Sequence, residues 1–127
     1  MDFRLVEETN KFLAGLGLAG DYDLISLAGS TKEIANPSDE KIKEYIFSNI
    51  GVSYNLHQAR KLIIIHHSDC GAYGGSAAFA NAEKEKEFQI SEMNKSASAI
   101  KEKYPEFDIL KYYAIIKSDG VDFEKIN

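Results

Sequence analysis

The chain has a single cysteine, Cys70, in 127 residues. That excludes an internal disulfide and fits a reducing cytoplasm best. No apolar run approaches the ~20 residues needed to span a bilayer, and no secretory signal is visible; no membrane partner is expected. There is no basic excess. The net charge of −5 argues against nucleic acid as a partner. Gly71, Gly74 and Gly75 do not make a phosphate loop, because the Lys and Ser/Thr of that motif are missing. The sequence has no repeat, linker or low-complexity tract. Its 44% hydrophobic and 28% charged residues are ordinary for a globular chain. The length suits one domain, residues 1–127, with a real core.

Apolar spacing lays out alternating elements. Leu5, Val6, Phe12, Leu13 and Leu16 recur at helical spacing, and Gly15, Gly17 and Gly20 end that helix. Asp23 to Ala28 reads as a strand. Pro37-Ser38-Asp39-Glu40 reads as a helix start with Ser38 as N-cap. That helix is expected to turn Ile42, Tyr45, Ile46, Ile50 and Leu56 inward; Gly51 weakens it unless a neighbour packs close. Lys61 to His66 is a β-branched strand, followed by a short helix from Gly71. Ala82 to Lys103 is a longer helix with Met93, Ala97, Ile100 and Tyr104 as its core stripe, ended by Pro105. The alternation in Glu83-Lys84-Glu85-Lys86-Glu87 reads as a solvated face. Ile109 to Ile116 is a third strand, and Val121 to Phe123 a short return strand after a turn. This alternation predicts an α/β fold, three-layer α/β/α with a mostly parallel sheet. The first helix lacks the strand that should feed it.

The chemistry gathers at His67-Ser68-Asp69-Cys70. These residues follow Leu62-Ile63-Ile64-Ile65, at the carboxyl end of a strand, where ligands bind in open α/β sheets. An imidazole and a thiolate at this spacing can share one zinc ion. A lone buried Cys is also commonly an inert small hydrophobe, and a strand-end His a hydrogen-bonded structural residue. His66 points to the opposite face from His67 and reads as packing or capping. His57 reads as surface. Asp2 and Arg4 suit either a site or a plain terminal ion pair.

These residues resemble the β-class carbonic anhydrases, and more closely their small prokaryotic relatives. That family carries His-x-x-Cys, complete here as His67 to Cys70 with Gly71-Ala72 following. It also carries Cys-x-Asp-x-Arg, of which Asp2 and Arg4 match the Asp and Arg. By that alignment the Cys would fall one position before Met1. Ala28-Gly29 fits the pattern as well. The resemblance covers nearly the whole chain in element order. It implies a zinc (Zn2+) site with His67 and Cys70 as ligands, Asp2 as gate or fourth ligand, and Arg4 as the partner of Asp2. Zinc lowers the pKa of a bound water to about 7, and the hydroxide attacks carbon dioxide to give bicarbonate. The helix start at Gly71 would favour the Cys70 thiolate, and Asp69 would orient the loop. The resemblance further implies at least a homodimer, with clefts at the subunit interface.

The first Cys ligand and its strand are absent from the numbered chain. Either Met1 is internal to a longer Cys-Met-Asp-Phe-Arg protein, or the chain is catalytically dead, or another donor (His66, Asp2 or the Met1 amino group) is recruited. Two functions follow: a zinc lyase acting on carbon dioxide or related small substrates, and an inactive domain binding a small anion or a protein partner.

Overall fold

The computed structural model describes all residues, 1–127. The elements run α1 (Val6–Gly15), α2 (Lys32–Ala35), α3 (Glu40–Asn55), β1 (Lys61–His67), α4 (Ala82–Lys103), β2 (Asp108–Lys117) and β3 (Gly120–Ile126). Single 3-10 turns at Phe3–Leu5, Gly71–Tyr73 and Ser76–Ala78 complete the list. The strands form one sheet in the order β1-β2-β3. β1 and β2 are parallel, joined through α4, with His66 opposite Tyr113 and His67 opposite Ala114. β3 folds back antiparallel on β2. The sheet is therefore mixed, not mostly parallel, because a short turn at Ser118-Asp119 can only return the chain antiparallel.

Neighbouring side chains on a strand face opposite ways, and this separates the two histidines. On one side, Ile64 and Tyr113 join Met93 and Ile100 of α4, Ile46, Phe47 and Ile50 of α3, and Phe107 in one core. His66 lies there too, 1% exposed. On the other side α1 reaches the sheet through Phe12, stacked on Phe123 at 4.2 Å and edge-on to Tyr112 at 4.8 Å. That contact brings the chain's first residues over the end of β1 where His67 emerges.

Gly51 has a packing reason. It is buried in α3, and a Cβ there would lie 2.8 Å from the Tyr104 hydroxyl, which donates to the Phe47 carbonyl at 2.8 Å. Alanine normally stabilises a helix relative to glycine by ~1 kcal/mol. Here overpacking, at about 1–3 kcal/mol, should win. Gly51→Ala is expected to lower stability in urea unfolding, and Gly51→Ala with Tyr104→Phe to recover part of the loss. A stabilised single variant would refute the contact.

Several sequence expectations do not hold. Asp23 to Ala28 forms no strand. Strands need a ladder partner, and this segment faces the unpaired edge of β1 across a trough of ≈ 690 Å³, lined by Tyr22, Leu24, Ile25, Leu62, Ile63 and Ile65 among others. The N-cap of α3 is Asp39, which accepts from the Lys41 N–H, not Ser38; Ser38 is taken by Glu33. Ile42, Tyr45 and Leu56 are exposed, because only the Ile46–Phe47–Ile50 stripe of α3 meets the core. Gly71 opens a single 3-10 turn, too short for a helix dipole. Glu85, within the presumed solvated run, is 1% exposed.

Candidate metal and catalytic site

β1 ends at His67, and the chain turns sharply through Ser68 and Asp69 to Cys70. The Ser68 N–H still pairs with the Ala114 carbonyl, and the Ser68 hydroxyl accepts from the Ile116 N–H. Asp69 takes the left-handed conformation, φ 55. Its carboxylate is anchored on the Ser76 N–H at 3.0 Å. Gly75 makes this return possible: its φ is 70, and a Cβ would sit 3.0 Å from Asp69 Oδ1.

His67 is 6% and Cys70 4% exposed. The imidazole Nδ1 lies 2.8 Å from the Ser68 carbonyl, so it carries the proton and donates; that assigns Nε2 as the lone-pair nitrogen. Nε2 is buried with no hydrogen-bond partner. Buried polar atoms are rarely left this way. It lies beside the Cys70 thiol without a hydrogen bond of ordinary geometry. Burial raises the Cys70 thiol. The His67 ring outweighs it, with the Ala72 N–H and the Met1 ammonium helping, and holds the pKa below the usual thiol range. Burial lowers His67, but Cys70, the Ser68 carbonyl and Asp2 together raise it.

Asp2 caps the turn at Phe3–Leu5 by accepting from the Arg4 N–H. The Arg4 guanidinium also grips its carboxylate, with Nη2 at 2.6 Å and Nε at 3.0 Å. Arg4 holds Asp2 at about 2, against burial. The same guanidinium reaches Asp69 Oδ2 at 2.8 Å and the Asp69 carbonyl at 3.1 Å. Asp2 Oδ2 lies 4.0 Å from His67 Nε2. Two tetrahedral zinc ligands stand about 3.4 Å apart, so a small adjustment would let both face one ion.

The four residues singled out from sequence, Asp2, Arg4, His67 and Cys70, thus meet at one place, joined by Asp69. His66 faces away, between Thr31 and Gln89. His57 is exposed and pairs with Asp23. No three His, Cys, Asp or Glu side chains are arranged to hold a metal. The orphaned imidazole nitrogen and the thiol disposed to ionise fit zinc in kind; in number they fall short of the usual three protein ligands. Sequence reading missed Glu85 and Ser76, which brace the loop from behind. The signal was there: Glu85, Gln89, Glu92, Ser96 and Ile100 fall at helical spacing on one buried stripe.

The fold and site define a mixed α/β domain with an imidazole–thiol pair at a parallel strand end, faced by an Asp–Arg pair from the amino terminus. The chain belongs to the family described as "Putative carbonic anhydrase", whose profile matches residues 1–124. Relatives are an "Uncharacterized protein" of Rickettsia bellii (strain RML369-C) and "Uncharacterized protein RC0076" of Rickettsia conorii (strain ATCC VR-613 / Malish 7). They are 34% and 32% identical to it over 124 residues, 95% of this chain. Those alignments span 74% of the first relative and 66% of the second. No solved structure matches the chain. No helix is long and apolar enough to cross a membrane.

Proposed function

We propose that the chain is a zinc-dependent lyase that hydrates carbon dioxide to bicarbonate, on a three-layer domain of the β-class type. The observation that carries this reading is the buried, unpartnered His67 Nε2 beside the Cys70 thiol, with the Asp2 carboxylate 4.0 Å away. His67 and Cys70 would hold the metal. The Met1 amino group lies close enough to bias the Cys70 thiol and meets the Leu27 carbonyl.

Bound zinc supplies Lewis acidity, which makes hydroxide available near neutral pH. The Ser68 carbonyl fixes the His67 tautomer, so Nε2 presents its lone pair. Asp2, ionised above pH of about 2, accepts the hydrogen bond of the attacking oxygen and aims its free lone pair at carbon. Arg4 keeps Asp2 from rotating. Hydration adds one water oxygen to carbon dioxide and releases one proton to solvent, giving bicarbonate; a metal held by His67 and Cys70 would supply the Lewis acidity for it. Asp2→Asn keeps the shape but replaces one acceptor oxygen by a donor. It is expected to leave zinc per chain unchanged and to slow carbon dioxide hydration about 10- to 100-fold; unchanged turnover would remove Asp2 from the mechanism.

The donor count favours one alternative, an inactive domain that binds a small anion or a protein. Against the anion, the Arg4 guanidinium is already engaged by two carboxylates. Zinc per chain by elemental analysis, followed by stopped-flow hydration, separates the readings. About one zinc with turnover supports the lyase; a zinc-free, inert chain supports the alternative.

A further inference from the structure

We propose that Glu85 is the positioning residue for the imidazole and thiol donors, a proposal that rests on the metal reading above. Glu85 sits in the first turn of α4, 1% exposed. One carboxylate oxygen accepts from the Asp69 N–H at 2.6 Å, and the other accepts from the Ser76 hydroxyl at 2.7 Å. No Lys, Arg or His forms an ion pair with it.

Burying a carboxylate without a countercharge is costly. Two short charge-assisted bonds and the amino-terminal end of α4 offset that cost. The donors identify what the charge is for. Asp69 stands between His67 and Cys70, and its left-handed backbone turns the N–H inward, towards Glu85. Its side chain points the other way, to Arg4 and the Ser76 N–H. The links run in series: Glu85 holds the Asp69 peptide, Asp69 holds Arg4, and Arg4 holds Asp2. The same peptide sets the separation of the His67 ring from the Cys70 sulfur. An apolar residue at position 85 would fill the volume but leave the Asp69 N–H unpaired and the loop free to relax to an ordinary conformation.

Cobalt(II) alone is the probe, titrated into the full chain. Its d–d bands report ligand geometry, and its thiolate charge-transfer band reports Cys70. Amide exchange at Asp69 is followed in the metal-free protein. Glu85→Ala is expected to speed Asp69 exchange about tenfold or more, weaken cobalt binding about 10- to 100-fold and shift the d–d bands. Glu85→Gln, which can still accept from Asp69 and donate to Ser76, should restore all three nearly to wild type. If Glu85→Ala does not fold, Glu85→Asp carries the test: it keeps the charge, withdraws the acceptor by one methylene, and should loosen cobalt similarly. Faster exchange with an unchanged cobalt spectrum and affinity would make Glu85 a loop brace only and overturn the proposal, as would unchanged exchange. A wild-type chain with no thiolate–cobalt band would sink the metal reading itself, and the proposal with it; that outcome is read from wild type alone.

Discussion

On the proposed zinc reading, Cys70→Ser is expected to strip the chain of zinc. A serine hydroxyl does not ionise near neutral pH, so the substitution removes a charged soft donor while nearly preserving volume at a site that is 4% exposed. Structural zinc binding of about 10–16 kcal/mol, shared over four ligands, puts one ligand at roughly 3 kcal/mol, or a loss of more than a hundredfold in affinity. His67→Ala should cost a similar amount. Both variants should keep the fold, because Ile64, Met93, Ile100, Phe107 and Tyr113 form the core on the opposite face of β1. Elemental analysis and circular dichroism read the two effects separately. Full zinc content in both variants would place the metal elsewhere.

The second large effect is acid sensitivity set by His66. Burial pushes its pKa down to about 4, against a smaller opposing contribution from Gln89. The neutral ring is satisfied on both sides: Nδ1 donates to Gln89 Oε1 at 2.7 Å, and Nε2 accepts from the Thr31 hydroxyl at 2.8 Å. The unfolded chain binds this proton near pH 6.5 and the folded chain only near 4. The unfolded state therefore holds more protons between those values, and stability must fall as pH drops through that window. The span is worth about 3 kcal/mol. Asp2 is held at about 2, so its contribution is lost at lower pH, below about 4. His67, with its pKa raised, acts with the opposite sign above pH 6.5. Urea unfolding from pH 7.5 to 4 should show the loss, and His66→Leu, though less stable throughout, should flatten it. An equal slope in that variant would assign the sensitivity to another group.

What could be read in advance was what depends on near neighbours in the chain. The β-branched run of β1, the Met93–Ile100–Tyr104 stripe of α4 and the stop at Pro105 are local patterns, and each element lies where they indicate. His67 and Cys70 were legible because three residues of spacing at a strand end already restrict their separation. Asp2 and Arg4 could be named by motif, but nothing local says that they reach β1. The stack of Phe12 on Phe123 and the Arg4 bridge to Asp69 bring them there. Asp23 to Ala28 failed for the converse reason. Its composition suits a strand, yet strand formation is a property of pairs, and it stands across a trough from the open edge of β1 without pairing to it. Glu85 was misread because a charge run looks solvated until the turning of the helix shows which member faces inward.

From its sequence alone this protein was bound to an α/β domain with an imidazole and a thiol at a strand end, since periodicity and short spacing act over a few residues. Tertiary structure alone decided that the sheet is mixed with one open edge, that Arg4 ties Asp2 to Asp69, and that a buried carboxylate braces the loop. Those outcomes rest on contacts between residues far apart in the chain, whose free energies depend on burial and exact geometry rather than on local pattern.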